Sequence, residues 1–181
     1  MRVITGSARG RRLKELEGLE TRPTTGKVKE ALFSVIQFDI EGRRVLDLFA
    51  GTGQLGIEAL SRGADSAVFV ERRKDALQAI RENLEACGFS DRARVVNGDA
   101  MSYLKSGEKF DLIFLDPPYA SGLLQRALED IARFDICRRH GIIVAESAAD
   151  QALPPLSGPY SIYREYRYGK IKLTVYHRNE D

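Results

Sequence analysis

The sequence predicts an α/β protein. Its centre is a doubly wound, mostly parallel sheet, closed by a C-terminal antiparallel hairpin and preceded by a small N-terminal β-hairpin. Three observations predict this. Short apolar runs alternate with helical periodicities from Arg44 to Ala145. Acids stand at the ends of successive apolar runs, at Asp47, Glu71, Asp99 and Asp116. Turn-rich stretches, GSARG at 6–10 and Gly169-Lys170, each divide two strand-like segments. Strands alternating with helices imply a parallel sheet with right-handed crossovers, covered on both faces.

Residues 1–20 form an irregular hairpin, with Val3 and Ile4 before the turn and Leu13 and Leu16 after it. After Pro23, Thr24 or Thr25 caps a helix. Its Val28, Ala31, Leu32, Val35 and Ile36 recur at the spacing of a single apolar stripe. Residues 44–49 are a buried strand. A glycine loop follows, then a helix through Leu60 that stops at Gly63. Residues 67–70 form the second strand, ending at Glu71. The next helix shows Leu77, Ile80, Leu84 and Cys87 on one face and stops at Gly88. Residues 94–96 form the third strand, ending near Asp99. Residues 110–115 form the fourth and run into Asp116-Pro117-Pro118-Tyr119. Leu123, Leu124, Ala127, Leu128 and Ile131 mark another helix, and 142–145 the fifth strand. Residues 161–168 and 171–177 make the closing hairpin.

A chain of 181 residues is expected to be one domain, a body over 23–181 with a basic β-hairpin arm over 1–22. At 43% hydrophobic and 30% charged it has the composition of a soluble globular protein. Cys87 and Cys137 lack metal-site spacing and the two histidines lie far apart, so no metal is expected. A reduced, cytoplasmic location fits, with no signal peptide and no membrane span. The net charge is only +2, but Arg2, Arg9, Arg11, Arg12 and Lys14 crowd the first fourteen residues without an acid, and Lys27 and Lys29 follow. That is either a nucleic-acid footprint or a solvated basic hairpin.

Gly51-Thr52-Gly53-Gln54-Leu55-Gly56 is a literal G-x-G-x-x-G between strand and helix, the Rossmann-like dinucleotide fingerprint. Glu71 stands about twenty residues past its first glycine, where a ribose-binding carboxylate belongs. Charge argues against a pyrophosphate. Asp47 precedes the loop, and 45–59 contain no Lys or Arg. Like charges ~6 Å apart at an effective dielectric near ~20 repel by roughly 2–3 kcal/mol. A ligand with an ammonium and a sulfonium reverses that sign, and S-adenosylmethionine is such a ligand. Asp47 then faces the methionine end, Glu71 the ribose hydroxyls and Asp99 the adenine amine.

The Asp116-Pro117-Pro118-Tyr119 motif is sharper. Two prolines remove two N–H donors and leave the Asp116 carboxylate and carbonyl oxygens as acceptors. Such a cluster suits a primary amine, and Tyr119 offers a face for a planar base. Accepting both amine hydrogens returns the delocalised lone pair to nitrogen, ready to attack a sulfonium methyl. A stacked base must first leave its helix.

Together these residues resemble class I S-adenosylmethionine-dependent amino-methyltransferases. MRVITGSARGRRLK, TRPTTGKVKEALFSVI, LDLFAGTGQLGIEALSRGA and LDPPY further resemble the bacterial RsmD family, over nearly the whole chain. The resemblance implies methylation of a guanine N2 in 16S rRNA, in the small (30S) subunit or an assembly intermediate. It implies strand order 3-2-1-4-5-7-6. The catalytic set would be Asp116, Pro117, Pro118 and Tyr119. The cofactor set would be Asp47, Ala50, Gly51, Thr52, Gly53, Glu71, Arg72, Asp99 and Ala100, with Arg22, Pro23 and Thr24 at the pocket rim. RNA phosphates would fall to Arg9, Arg11, Arg12 and Lys14, with Lys27 and Lys29 nearby. No membrane and no obligate protein partner is expected. The alternatives are a DNA adenine or cytosine amino-methyltransferase, whose amines the motif serves equally well, and a non-enzymatic RNA-binding assembly factor.

Overall fold

The computed structural model describes residues 1–16, 26–118 and 121–180. Arg22, Pro23, Thr24, the alternative helix cap Thr25, and Tyr119 lie outside the described residues. The strands are β1 (Arg44–Asp47), β2 (Ser66–Glu71), β3 (Ala93–Asn97), β4 (Phe110–Leu115), β5 (Cys137–Ala148), β6 (Tyr160–Tyr168) and β7 (Ile171–Arg178). The α-helices are α1 (Gly26–Val35), α2 (Gln54–Ser61), α3 (Lys74–Cys87), α4 (Ala100–Tyr103) and α5 (Leu123–Phe134). The strands form one sheet in the order β3-β2-β1-β4-β5-β7-β6, as the family resemblance implied. β1 to β5 pair in parallel, and β7 runs antiparallel to both β5 and β6.

Side chains alternate along each strand, so each strand feeds two cores. Val45, Phe69, Phe114 and Val144 face one side, under α1, α2 and α3. Leu46, Val70, Leu115 and Ala145 face the other, with Leu104 and the Leu124, Leu128 and Ile131 stripe of α5. The near-continuous apolar run of β4 is thereby buried on both faces. α2 lies unusually close to the sheet. A Cβ on Gly56 would stand 2.4 Å from Phe69 Cε1, a contact only glycine avoids.

β5 is longer than the expected 142–145, because its N-terminal part pairs Cys137 with Phe110 before a register shift. Arg138, Arg139 and His140 are exposed there, which masks the strand in an apolarity reading.

The basic N-terminal segment is docked on the body. A single antiparallel bridge joins Arg2 to Arg12, and Val3, Ala8 and Leu13 enter the same core as α1 and α2. Gly6 has φ +96° and approaches so closely that a Cβ would fall 1.8 Å from the Ser61 carbonyl oxygen. Ser7 N–H donates to that oxygen at 2.8 Å, and Ala8 N–H donates to Ser61 Oγ at 3.0 Å.

Lys29 corrects an expectation. It was assigned to RNA, yet its side chain is 0% exposed and pairs with the equally buried Glu58 at 3.1 Å. Burial pulls its ammonium pKa down, and Glu58 partly restores it. The physical reason is periodicity: Lys29, Leu32, Phe33 and Ile36 share one helical stripe, and that stripe faces the core. Among the described residues no helix is long and apolar enough to cross a membrane.

Candidate active site

The site lies at the carboxyl ends of the parallel strands, where the strand order changes direction around β1 and β4. Glu71 ends β2, Asp47 ends β1, Asp116 follows β4, and Glu146 lies near the end of β5. Alternation with Phe69, Val45, Phe114 and Val144 puts all four acids on the α1–α3 face. In sheet order they form a row, Glu71, Asp47, Asp116, Glu146, with neighbouring strands ~4.8 Å apart.

Asp47 is 3% exposed, and its Oδ2 accepts from the Gly56 N–H at 3.0 Å. Burial pushes its carboxyl up to about 8, the Gly56 hydrogen bond pulls back, and Asp116 and Glu71 add repulsion. A buried acid between two other acids is suited to a cationic ligand. There is also room for one. A Cβ on Gly51 would meet nothing within 4 Å.

Glu71 ties the loop to β2. Its Oε2 accepts from Gly51 N–H at 2.9 Å and its Oε1 from Arg72 N–H at 3.1 Å. Ala50 N–H donates to the Val70 carbonyl at 3.1 Å, and Gly53 N–H to the Ala50 carbonyl at 2.8 Å, which curls the loop into α2. Asp99 stands apart from the row, exposed, and caps α4 through Ser102 N–H at 2.9 Å. That bond, against the opposing cost of burial and with help from the Ser102 hydroxyl and nearby Arg72, holds its carboxyl below the usual range. Ala100 begins α4 beside it. Pro117 is buried and Pro118 exposed at the mouth of a cleft shared with Glu146.

The basic residues of the N-terminal segment face solvent, and Lys14 is tied through Asn83 toward the glycine loop. Arg9, Arg11, Arg12 and Lys14 are exposed on the docked segment, and Lys27 is exposed on the first turn of α1. Lys14 also pairs with Glu82 at 2.7 Å. Two side chains missed in the sequence fasten this segment to the site. Buried Asn83 accepts from Lys14 N–H at 2.6 Å and donates to the carbonyls of Lys14 at 3.2 Å and Thr52 at 3.0 Å. Glu58 accepts from Ile4 N–H at 2.8 Å, Thr5 N–H at 3.0 Å and Arg62 Nε at 2.9 Å, besides Lys29. Asn83 lies on the Ala76, Ala79, Ile80, Leu84 stripe of α3. A polar residue on an apolar stripe was the available signal.

The chain matches the family described as Conserved hypothetical protein 95 over residues 1–177. The chain belongs to that family. It is 42% identical to "Putative rRNA methyltransferase YlbH" of Bacillus subtilis (strain 168) over 180 residues, covering 97% of this chain and 98% of that protein. It is 35% identical over 179 residues to "Ribosomal RNA small subunit methyltransferase D" of Escherichia coli (strain K12), covering 98% and 90%. A solved structure, "Putative methyltransferase yhhF from Escherichia coli", superposes with TM-score 0.89 at 35% identity, covering 100% of this chain and 99% of the other. For this member of Conserved hypothetical protein 95, the fold is therefore the doubly wound class I methyltransferase sheet with a C-terminal antiparallel hairpin.

Proposed function

We propose that this protein transfers a methyl group from S-adenosylmethionine to the exocyclic N2 of a guanine in 16S rRNA. The carrying observation is the row of carboxylates, which sets an acceptor for an amine, Asp116, on the strand next to a buried acid suited to a cation, Asp47. The family relatives named for rRNA methylation support the RNA substrate. The body over 23–181 carries the chemistry. The segment 1–22 meets RNA through Arg9, Arg11, Arg12 and Lys14, with Lys27 beside it. The substrate is the 30S subunit or an assembly intermediate, so the protein works in the cytoplasm.

S-adenosylmethionine supplies a methyl group on a sulfonium. Asp47 holds its cationic end, Glu71 accepts from the ribose hydroxyls, and Asp99 accepts from the adenine amine. Ala50, Gly51, Thr52 and Gly53 line the cradle, and Arg72 and Ala100 border the adenosine end. Arg22, Pro23 and Thr24 close the rim. Asp116 and the Pro117 carbonyl accept the two N2 hydrogens, so the lone pair returns to nitrogen and points along the transfer line. The new N–C bond would form as the methyl's bond to sulfur breaks, its electron pair staying on the neutral thioether that leaves, and Asp116 would hold the proton that N2 loses or hand it to water. Pro118 keeps the motif free of a competing donor, and Tyr119 stacks on the flipped base.

The test is transfer of labelled methyl to small subunits lacking native modification, naked 16S RNA, duplex DNA and bulk protein. Label recovered as N2-methylguanosine in RNA is the expected result. Label confined to DNA overturns the reading in favour of a DNA amino-methyltransferase. No label with cofactor bound favours a non-enzymatic assembly factor.

Cofactor binding is expected to depend on pH. The unliganded Asp47 carboxyl, pushed up to about 8, must lose its proton to pair with a cation. Affinity therefore rises from pH 6 to 7.5, by at most ~10-fold per unit for one proton. It turns down above about pH 8, where α-amino groups lose their charge. Asp47→Asn flattens the acid limb. Calorimetry across this range checks it, and affinity that is constant or falling from pH 6 to 7.5 refutes the assignment of Asp47.

A further inference from the structure

The N-terminal segment carries the cations most visible in the sequence, but a second cationic surface lies across the sheet. We propose that the exposed face of the β6–β7 hairpin is a second RNA-binding surface, in which Arg164 and Lys170 bind backbone phosphates and Tyr163 holds Arg164 ready. The proposal rests on the reading of RNA as substrate and deepens it.

Residues 163–170 read YREYRYGK, aromatic and basic side chains interleaved. β6 is the outermost strand, so one of its long edges is unpaired. Ile162 pairs with Tyr176 and Arg164 with Val175, which leaves Tyr163 as an extra residue in a bulge. A bulge re-aims a side chain, and here it breaks the alternation. Arg164 follows Val175 onto the α1–α3 face. Tyr163 stacks on His177, two residues from Val175, with centroids 4.1 Å apart and planes at 12°. The Arg164 guanidinium lies 5.5 Å from the centre of the Tyr163 ring. The two side chains thus stand together, with Tyr163 54% exposed and Arg164 exposed beside it.

The two faces of β6 differ in what their charges do. On the opposite face Glu165 lies 3.7 Å from Lys172 Nζ, and Arg167 donates to the Ala149 carbonyl at 3.0 Å. Those charges are satisfied within the fold. Among the described residues no carboxylate pairs with Arg164 or Lys170. A guanidinium held against a ring, with its N–H groups turned to no acid, is preorganised for a phosphate. Edge strands are also guarded against pairing by charge. That duty does not call for an exposed tyrosine under the charge.

Placement makes the surface useful. Ile171 pairs with Ala148, and Ala149 N–H donates to the Lys170 carbonyl at 2.9 Å, so the hairpin tip sits at the end of β5. Asp47 and Asp116 lie at that same end of the sheet. Arg164 lies four residues before Tyr168, ~13 Å down the strand. The N-terminal segment is held by α2 and α3, which pack over β1, β2 and β3. β6 lies four strands from β1 in the other direction, ~19 Å away. The two cationic surfaces therefore flank the candidate site, and an RNA that touches both is held across it.

The experiment measures binding of the full-length protein to small subunits lacking native modification and to naked 16S RNA across a salt series, with single-turnover methylation alongside. Arg164→Ala combined with Lys170→Ala should weaken both complexes about 10-fold near ~0.15 M salt and lower the salt slope by roughly 1.5, the share of two phosphates. S-adenosylmethionine affinity and the rate at saturating RNA should not change. Arg126→Ala combined with Arg139→Ala removes the same charge from exposed positions elsewhere and should cost under ~2-fold. Tyr163→Ala keeps every charge and should weaken binding ~3-fold with the slope nearly unchanged, and Tyr163→Phe should restore it. Should the double variant fail to fold, the two Tyr163 variants decide. A double variant that matches the charge-matched control overturns the surface. So does a loss seen with subunits but not with naked RNA, which assigns these residues to a ribosomal protein. Unchanged RNA affinity with larger assemblies also overturns it, by making these residues guards of a strand edge. RNA that binds through this surface but takes no methyl overturns the methyltransferase reading and leaves the surface standing.

Discussion

Asp116→Ala is expected to lower kcat about 10³-fold while the folded protein still binds S-adenosylmethionine. The loss follows from the chemistry of an aromatic amine. Its lone pair is delocalised, and only acceptors on both hydrogens return it to nitrogen. With the carboxylate gone, the Pro117 carbonyl is the motif's remaining acceptor. Pro117 and Pro118 lack N–H groups, so nothing in the motif rearranges into a substitute. Cofactor affinity should move only a few-fold, because two effects oppose. A negative charge near the sulfonium is lost, and the repulsion that Asp116 exerts on Asp47 is lost with it. Asp116→Asn keeps one acceptor oxygen and should fall between. Single-turnover transfer with a parallel binding titration checks this. Turnover near wild type, or loss of cofactor binding equal to the loss of rate, would remove Asp116 from its role.

Glu58→Ala is expected to destabilise the fold by about 3–5 kcal/mol, the usual consequence of breaking a buried ion pair from one side. Glu58 takes four donors, the Ile4 and Thr5 amides, Arg62 and Lys29. Lys29 is the critical one, since its ammonium has no access to water and its pKa is already drawn down by burial. Without Glu58 it must discharge or open the core. At about 2–4 °C per kcal/mol for a domain of this size, the melting temperature should fall by roughly 10 °C. Amide exchange at Ile4 and Thr5 should accelerate at the same time, because the N-terminal segment loses its anchor. Adding Lys29→Met to Glu58→Leu removes both charges and should recover much of the loss. A single variant within ~1 kcal/mol of wild type would show that the pair is dispensable.

The two substitutions probe different ends of one connection. Asn83 joins Lys14 to the Thr52 carbonyl in the glycine loop, and Glu58 holds Ile4 and Thr5 against α2. The basic segment is thus fixed to the glycine loop and to α2.

Most of the scaffold was legible in the chain, for local reasons. β4 was read with the bounds observed, because six consecutive residues, mostly apolar, are bounded by Lys109 and Asp116. α3 ended at Gly88 as expected, since φ +75° there favours glycine. The glycine loop and the acids at Asp47, Glu71 and Asp116 were visible because each sits at a change of periodicity. Lys29 was misread because a run of basic residues drew attention to its charge rather than to its place on an apolar stripe. The N-terminal part of β5 was missed because its side chains are exposed.

Tertiary structure decided what depends on strand order. Residues 71, 47, 116 and 146 are scattered through the sequence, yet crossovers set them on four adjacent strands. Glu146 has no motif around it, and only the β4–β5 register gives it a neighbour in Asp116. The same holds for Glu58 and Asn83, polar groups whose partners in the N-terminal segment lie 53 to 69 residues away along the chain. Periodicity, caps and turn residues are local and can be read along a chain. The pairing of buried charges is set by which surfaces the whole chain must hide from water, and that is known only once it is folded.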